Sequence, residues 1–151
     1  MNSTCELCRH DGGRVLWRDA ALRVVVVDDS DYPGFLRVIW NDHVREMTDL
    51  APGDRERLMR AVFGAEAALR RVLTPDKVNL ASLGNVTPHL HWHVIARYTN
   101  DAHFPQPIWG SRQRTCDLEV LAQRAAKLAE LKVVLAHDLE TTSAALSAQG
   151  R

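Results

Sequence analysis

Three histidines alternate with apolar residues in the run His89-Leu90-His91-Trp92-His93. In a β-strand, successive side chains point to opposite faces, so the three imidazoles would share one face with neighbouring rings roughly 7 Å apart. Each imidazole has two nitrogens that need partners, and protonated rings repel each other, so the row is a poor choice for packing alone. Neutral imidazoles in a row suit either metal binding or attack on a phosphoryl group.

A second group of possible ligands begins near the N-terminus with Cys5-Glu6-Leu7-Cys8, a weak signal by itself. A thiolate metal site needs two further ligands, and two candidates are His43 and His89. Together the four residues would form a Cys2His2 zinc site that joins the N-terminal arm to the sheet. His10 is a rival ligand, because Cys5-x-x-Cys8-x-His10 is also compact. Four protein ligands leave no open position for water, which favours a structural role for the zinc.

Three polar residues have two interpretations each. Asp28 and Asp29 follow a β-rich run and suit turn chemistry, but a carboxylate at a strand end can also accept hydrogen bonds from ribose hydroxyls. Asn85 is either a turn residue or an amide that contacts phosphate. The tryptophans at positions 17, 40 and 109 are expected in the core rather than in a wall that stacks on a base.

The elements that must position these residues follow from apolar periodicity. Strands are predicted at Val15–Arg18, Leu22–Asp28, Phe35–Trp40, Val78–Leu83 and Leu90–Tyr98. A long amphipathic helix is predicted from Pro52 to Leu73, and a second amphipathic helix opens at Asp117. The order of strands, helix, strands and helix favours an α+β domain with a mainly antiparallel five-stranded sheet over alternating βαβ units.

The bulk composition limits the class of protein. The chain has 151 residues, 46% of them hydrophobic and 25% charged, which suits a single domain; residues 1–137 are assigned to it and residues 138–151 to a polar, frayed tail. The net charge is zero, so nothing indicates a nucleic-acid polymer or an anionic membrane as partner. The polar N-terminus lacks a signal core, and three cysteines do not form a disulfide framework, so we expect a cytoplasmic protein.

The segment His89-Leu90-His91-Trp92-His93-Val94-Ile95 resembles the motif of the histidine triad (HIT) family. The resemblance covers about residues 5–110, because strands, the segment Pro33–Ile39, His43 and a long helix precede the motif in the same order. Zinc-bearing bacterial members look alike at Cys5, Cys8, His43 and His89.

The resemblance implies a homodimer of α+β domains that binds nucleotides and acts at the α-phosphate of nucleoside polyphosphates, dinucleoside polyphosphates or nucleoside phosphoramidates. His91 would attack that phosphorus and form a nucleotidyl-histidine, which water or another acceptor then displaces. His93 would hold phosphate oxygens or assist the leaving group. His89 occupies the position of a ligand in members that carry structural zinc.

Three positions depart from the common pattern of the family. Many members have His in place of Phe35, Gln in place of Asn85, and Ser or Thr in place of Val86. These departures support an alternative: a nucleotide-binding or regulatory protein that kept the fold and lost turnover. Two further alternatives are a metallohydrolase whose triad holds a catalytic zinc, and a small interaction module stabilised by zinc.

Overall fold

A computed structural model describes the backbone of residues 4–149 and the side chains of residues 4–141. Its helices and strands, in chain order, are α1 (Glu6–Arg9), β1 (Arg14–Arg18), β2 (Leu22–Val26), β3 (Leu36–Trp40), α2 (Pro52–Leu73), β4 (Lys77–Ala81), β5 (His91–Arg97), α3 (Leu118–Ala126) and α4 (Leu128–Gln149), with a 3₁₀ turn at Met47–Asp49. The predicted α+β class with a five-stranded antiparallel sheet is confirmed.

The strands lie in the order β1-β2-β3-β5-β4, and every neighbouring pair is antiparallel. After β3 the chain continues through α2 to the edge strand β4. It then forms β5, which pairs with β3 on one side and with β4 on the other. The pairing with β3 sets Arg37 opposite His93 and Ile39 opposite His91. The register therefore places residues from two distant parts of the sequence side by side on one sheet face.

Both faces of the sheet are covered, which explains why all five residues of β2 are buried. On one face, Val24 and Val26 join the main core with residues of α2 and α4. On the other face, Val25 packs with Cys5 and Leu7 of the N-terminal arm. A strand with cover on both sides needs a continuous apolar run rather than alternation, and Val24–Val27 is such a run.

Helix α2 has the bounds that its periodicity predicts, Pro52 to Leu73. Pro52 suits the first turn because its missing N–H has no partner within the helix there. The helix ends at Thr74, which adopts a left-handed conformation with φ of 46°. Its buried stripe includes Leu58 and Leu69 and lies on β3, β5 and α4.

The C-terminal part has two helices where the sequence predicted one. Asp117 accepts a hydrogen bond from the N–H of Glu119 at the start of α3, but α3 ends at Ala126 and α4 begins at Leu128. Helix α4 continues to Gln149, through most of the segment assigned to a tail. Leu139, near the start of that segment, extends the apolar stripe of α4 into the main core. No helix in the described part of the chain is long and apolar enough to span a membrane.

Candidate active site and metal centre

The alternation predicted for the histidine run is present in β5 for His91 and His93, whereas His89 lies before the strand. His91 and His93 are 6% and 5% exposed and lie on the sheet face opposite α2 and α4, with ring centroids 4.8 Å apart, closer than the roughly 7 Å expected along a strand. Leu90 and Val94 belong to the main core, and Trp92 packs against it. The apolar alternate residues thus hold the strand while the imidazoles meet on the other face.

The hydrogen bond of His91 identifies its tautomer. Its Nδ1 lies 2.6 Å from the main-chain carbonyl oxygen of His89. A carbonyl oxygen only accepts, so Nδ1 carries the proton and Nε2 keeps the lone pair. Burial lowers the pKa of His91, with a further contribution from the charge of Arg37, and this favours the neutral imidazole. A neutral His91 with the lone pair on Nε2 could act as a nitrogen nucleophile.

His93 lies among aromatic rings. The ring centroids of Phe35 and Trp109 are 5.5 and 5.1 Å from its own. Its Nδ1 is buried and has no hydrogen-bond partner in the described residues. Burial, followed by the charges of His91 and Arg37, lowers the pKa of His93 to about 4. In the pattern that the sequence resembles, a histidine at position 35 helps to orient the triad; here Phe35 supplies a ring contact instead.

Arg37 brings a positive charge to the same face. It is the cross-strand neighbour of His93, and its guanidinium carbon lies 5.7 Å from the centroid of the Phe35 ring. Burial lowers its pKa, while the charge of Glu6 raises it. Two neutral imidazoles beside one guanidinium form a site that suits an anion better than a cation.

The four residues predicted to form a metal site do lie together. The ligand atoms of Cys5, Cys8, His43 and His89 are all within 4.8 Å of one another. The Nδ1 of His89 lies 3.4 Å from Sγ of Cys5 and 3.5 Å from Sγ of Cys8, and the Nδ1 of His43 lies 3.4 Å from Sγ of Cys8. A tetrahedral site with bond lengths of about 2.3 Å to sulfur and 2.0 Å to nitrogen has sulfur–nitrogen separations of about 3.5 Å. These residues could therefore hold a metal ion.

Hydrogen bonding at His89 agrees with a ligand role. Its Nε2 lies 2.6 Å from the carbonyl oxygen of Trp40, so this nitrogen carries the proton and Nδ1 is the ligand atom. A second-sphere acceptor of this kind commonly fixes the tautomer of a metal-bound histidine. His10, the rival ligand, is exposed and lies outside the cluster. The cluster is compatible with the zinc-bearing type of triad protein.

Asp28 and Asp29 follow β2 in the turn that leads to β3. Asp29 accepts a hydrogen bond from the N–H of Asp31 at 3.0 Å, which is turn chemistry, while Asp28 is exposed. Both line a cavity of about 510 Å³ together with Gly34 and residues of α3 such as Leu121. None of the three triad histidines lines this cavity.

Asn85 is exposed in the segment between β4 and His89. It lines a cavity of about 370 Å³ with Arg45, Glu46 and Pro88 among its neighbours. The adjacent Val86 is 96% exposed, so no packing holds this segment in place through that side chain.

Three contributors to the triad site were not identified from the sequence. The hydroxyl of Ser82 donates to the main-chain carbonyl of His91 at 2.9 Å. Arg37 could have been found, since a charge within the apolar strand Leu36-Arg37-Val38-Ile39 is unusual. Trp109 was expected in the core, and that expectation is wrong: it is 51% exposed and lies against His93. The irregular segment around it has no periodicity from which its environment could be predicted.

A buried ion pair supports the loop that carries Trp109. Asp101 accepts hydrogen bonds from Nε and Nη2 of Arg97 at 2.7 and 3.1 Å, and from the main-chain N–H groups of His103 and Phe104. Burial alone would raise the pKa of Asp101, but these hydrogen bonds lower it to about 2. Tyr32 also donates to Asp101, at 3.2 Å. The loop is thus fixed to β5, the strand of the triad.

Comparisons with known proteins agree with this geometry. AP-4-A phosphorylase of Mycobacterium tuberculosis is 31% identical over 86 residues, which cover 53% of this chain and 44% of that protein. The match thus spans less than half the length of that relative. A histidine triad protein from Bradyrhizobium japonicum is 30% identical, with a TM-score of 0.65 over 80% of this chain and 90% of that one.

A second solved structure, of a histidine triad protein from Marinobacter aquaeolei, is 27% identical with a TM-score of 0.68 over 89% of this chain and 98% of that one. The family model of the HIT domain matches residues 11–100, which include β1 to β5 and the triad. Because this match covers more than half of the 151 residues, the chain belongs to the HIT domain family.

Proposed function

We propose that this protein is a hydrolase or transferase acting at the α-phosphate of nucleoside polyphosphates, dinucleoside polyphosphates or nucleoside phosphoramidates. The observation that carries the proposal is the orientation of His91, whose Nδ1 donates to a carbonyl and whose Nε2 keeps its lone pair. The relative named AP-4-A phosphorylase supports dinucleoside polyphosphates as one candidate substrate class.

The reaction has two displacements at phosphorus. In the first, Nε2 of His91 forms a bond to the α-phosphorus, and the bond from phosphorus to the leaving group breaks with its electron pair on the leaving group. In the second, water or another acceptor attacks the phosphorus, the nitrogen–phosphorus bond breaks, and the acceptor loses its proton to solvent. When the nitrogen–phosphorus bond breaks, His91 returns to its neutral form. His93 holds phosphate oxygens or assists the leaving group.

Trapping of the intermediate tests the proposal. Protein mixed with a nucleotide labelled at the α-phosphate and quenched in alkali should carry label on His91, because a phosphoramidate to histidine survives better in alkali than in acid. His91→Asn should abolish label and turnover while nucleotide binding remains. His137→Asn, which changes an exposed histidine of α4, is the matched control and should behave as the unaltered protein. Label on His93, or full activity in His91→Asn, would contradict the mechanism.

We also propose that the metal is zinc and that its role is structural. Two thiolates and two imidazoles are ligands that zinc prefers, and four protein ligands close the site to substrate. Elemental analysis of protein purified without chelators should give one zinc per chain. Well-folded protein without metal would contradict this assignment.

For the nucleotide, we propose that Asp28 or Asp29 accepts hydrogen bonds from ribose hydroxyls and that the amide of Asn85 contacts phosphate. The exposed carboxylate of Asp28 is available for this role, whereas Asp29 already accepts a turn hydrogen bond. Asp28→Ala should therefore weaken nucleotide binding more than Asp29→Ala, with folding nearly unchanged. If neither substitution alters affinity, the ribose assignment fails.

One observation favours a second candidate, a nucleotide-binding protein of the same fold without turnover. Phe35 contacts the ring of His93 but offers no hydrogen-bonding group, and Nδ1 of His93 has no partner in the described residues. The orientation of the His93 ring is therefore fixed by packing alone. The two candidates differ in a single-turnover experiment. Tight nucleotide binding with no release of nucleoside monophosphate would favour the second.

A further inference from the structure

Three arginines, Arg23, Arg37 and Arg97, alternate with core-facing residues on the triad side of the sheet, and their surroundings differ. Arg23 is 4% exposed and donates to main-chain carbonyls of the N-terminal arm and to Oδ1 of Asn41. Arg97 is 2% exposed and donates to Asp101, to Oδ1 of Asn79 and to a main-chain carbonyl. Both guanidinium groups are satisfied within the protein.

Arg37 lacks comparable partners. Its Nη1 donates one long hydrogen bond, 3.3 Å, to the carbonyl oxygen of Gly12, and its Nε is buried without a partner in the described residues. Glu6 acts on its charge but is exposed and forms no ion pair with it. A guanidinium has five donors, and a partly buried cation without a counter-charge costs free energy. The structure keeps an unmatched positive charge beside the triad.

The position of this charge indicates its partner. Arg37 is the cross-strand neighbour of His93, and Ile39, two residues further along β3, is the neighbour of His91. An anion held by Arg37 would therefore lie on the His93 side of the nucleophile, displaced across the sheet by about one strand spacing, roughly 5 Å. Adjacent phosphorus atoms of a polyphosphate chain lie closer together than one strand spacing, and the long side chain of Arg37 can span the difference.

We propose that Arg37 binds the phosphate next to the one that His91 attacks, and so selects nucleotides that carry at least two consecutive phosphates. This inference rests on the proposed function and deepens it: the preferred substrates are nucleoside polyphosphates or dinucleoside polyphosphates, not nucleoside phosphoramidates with an uncharged leaving group. A planar guanidinium suits such a phosphate because it can donate two parallel hydrogen bonds. Arg37 is then a specificity-determining residue.

Binding measurements on the zinc-loaded protein test the inference. The probes are AMP and α,β-methylene-ADP, which has the second phosphate but is not cleaved between the two. Calorimetry should show tighter binding of the diphosphate analogue to the unaltered protein. Arg37→Gln should weaken the analogue by about tenfold or more and AMP by much less, since only the analogue has a group for Arg37 to bind. Arg37→Lys should recover part of the loss.

Arg18→Gln is the matched control, because it removes an exposed arginine of β1 that pairs with Asp11 away from the triad. It should leave the ratio of the two affinities unchanged. An unchanged ratio in folded Arg37→Gln would overturn the role of Arg37 while leaving the proposed function intact. Failure of the unaltered protein to bind either probe would overturn both. Equal weakening of AMP and analogue would show a general electrostatic effect and also overturn the selection.

Discussion

At the scale of single residues, His91 and His93 have different environments although they share one strand face. His91 has a main-chain acceptor for its Nδ1 proton, whereas Nδ1 of His93 has no partner in the described residues. Aromatic rings surround His93 and keep water from it. One imidazole thus has a defined tautomer that suits the proposed nucleophile, and the other is a neutral ring whose pKa a nearby anion would raise.

The burial of His93 predicts a dependence of stability on pH. Its pKa falls from an ordinary 6.5 to about 4 on folding, so the unfolded chain binds its proton first as the pH drops. The stability that comes from neutral His93 is fully present above about pH 6.5 and is lost as pH falls from 6.5 to 4, to a limit of about 3 kcal/mol. His91 and Arg37 face His93, and their charges act in the same direction.

Urea unfolding at several pH values between 7.5 and 4.5 measures this effect. His93→Gln should show a shallower loss of stability with falling pH than the unaltered protein, both measured with metal bound. The candidate metal site is the same in both proteins, so its contribution cancels in the comparison. Parallel curves would show that His93 does not contribute.

At the scale of elements, the four candidate metal ligands connect α1 to the sheet. Helix α1 has four residues, too few to be stable alone, and contributes Cys8, while Cys5 precedes it. His43 follows β3, and His89 precedes β5. The ligands thus join the N-terminal arm to the two central strands that carry Arg37 and the triad.

Removal of the metal should release this arm. A chelator should lower the free energy of unfolding by at least about 2.7 kcal/mol, the linkage expected when free metal exceeds its dissociation constant a hundredfold. Hydrogen exchange at the amides of Cys8 and His10, which are bonded within the arm, should accelerate. Cys8→Ser should abolish the response to chelator, while Cys116→Ser, outside the cluster, should retain it. A response to chelator that persists in Cys8→Ser would contradict the assignment.

The buried Arg97–Asp101 ion pair holds the loop after β5 in place. Asp101→Asn leaves Arg97 without a counter-charge, and breaking a buried pair of this kind costs about 3 kcal/mol or more. Because the loop carries Trp109, the fluorescence of this tryptophan should also change. Glu56→Gln, which breaks the exposed pair with Arg60, is the control and should cost less than about 0.5 kcal/mol. Equal costs for the two variants would show that the buried pair has no special role.

Elements with a regular period were predictable, and irregular ones were not. Pro52 and the stripe that includes Leu58 predicted the extent of α2, and the alternation around His91 predicted that His91 and His93 share a face. Helix α1 is too short for any period, and the end of α3 at Ala126 has no marker such as proline or glycine. The contact between Trp109 and His93 depends on loop geometry that local sequence does not specify.

At the scale of the whole molecule, we expect a homodimer. Strand β4 lies at the edge of the sheet and pairs with β5 on one side only, which leaves its outer hydrogen-bonding groups available. Phe63 of α2 and Leu83, which follows β4, are 54% and 52% exposed. Analytical ultracentrifugation should give twice the chain mass, and the paired variant Phe63→Glu with Leu83→Glu should reduce it. A monomer at micromolar concentration would contradict the expectation.

The hydrogen bond from His91 to residue 89 has a consequence for how such a protein can change over generations. The acceptor is a main-chain carbonyl, which every amino acid has, while the metal ligand at the same position is a side chain. A lineage can therefore lose the cysteines and the imidazole of residue 89, hold the arm by ordinary packing, and still inherit a nucleophile in the right tautomer. The candidate metal ligand and the tautomer of His91 can therefore change independently, although both involve residue 89.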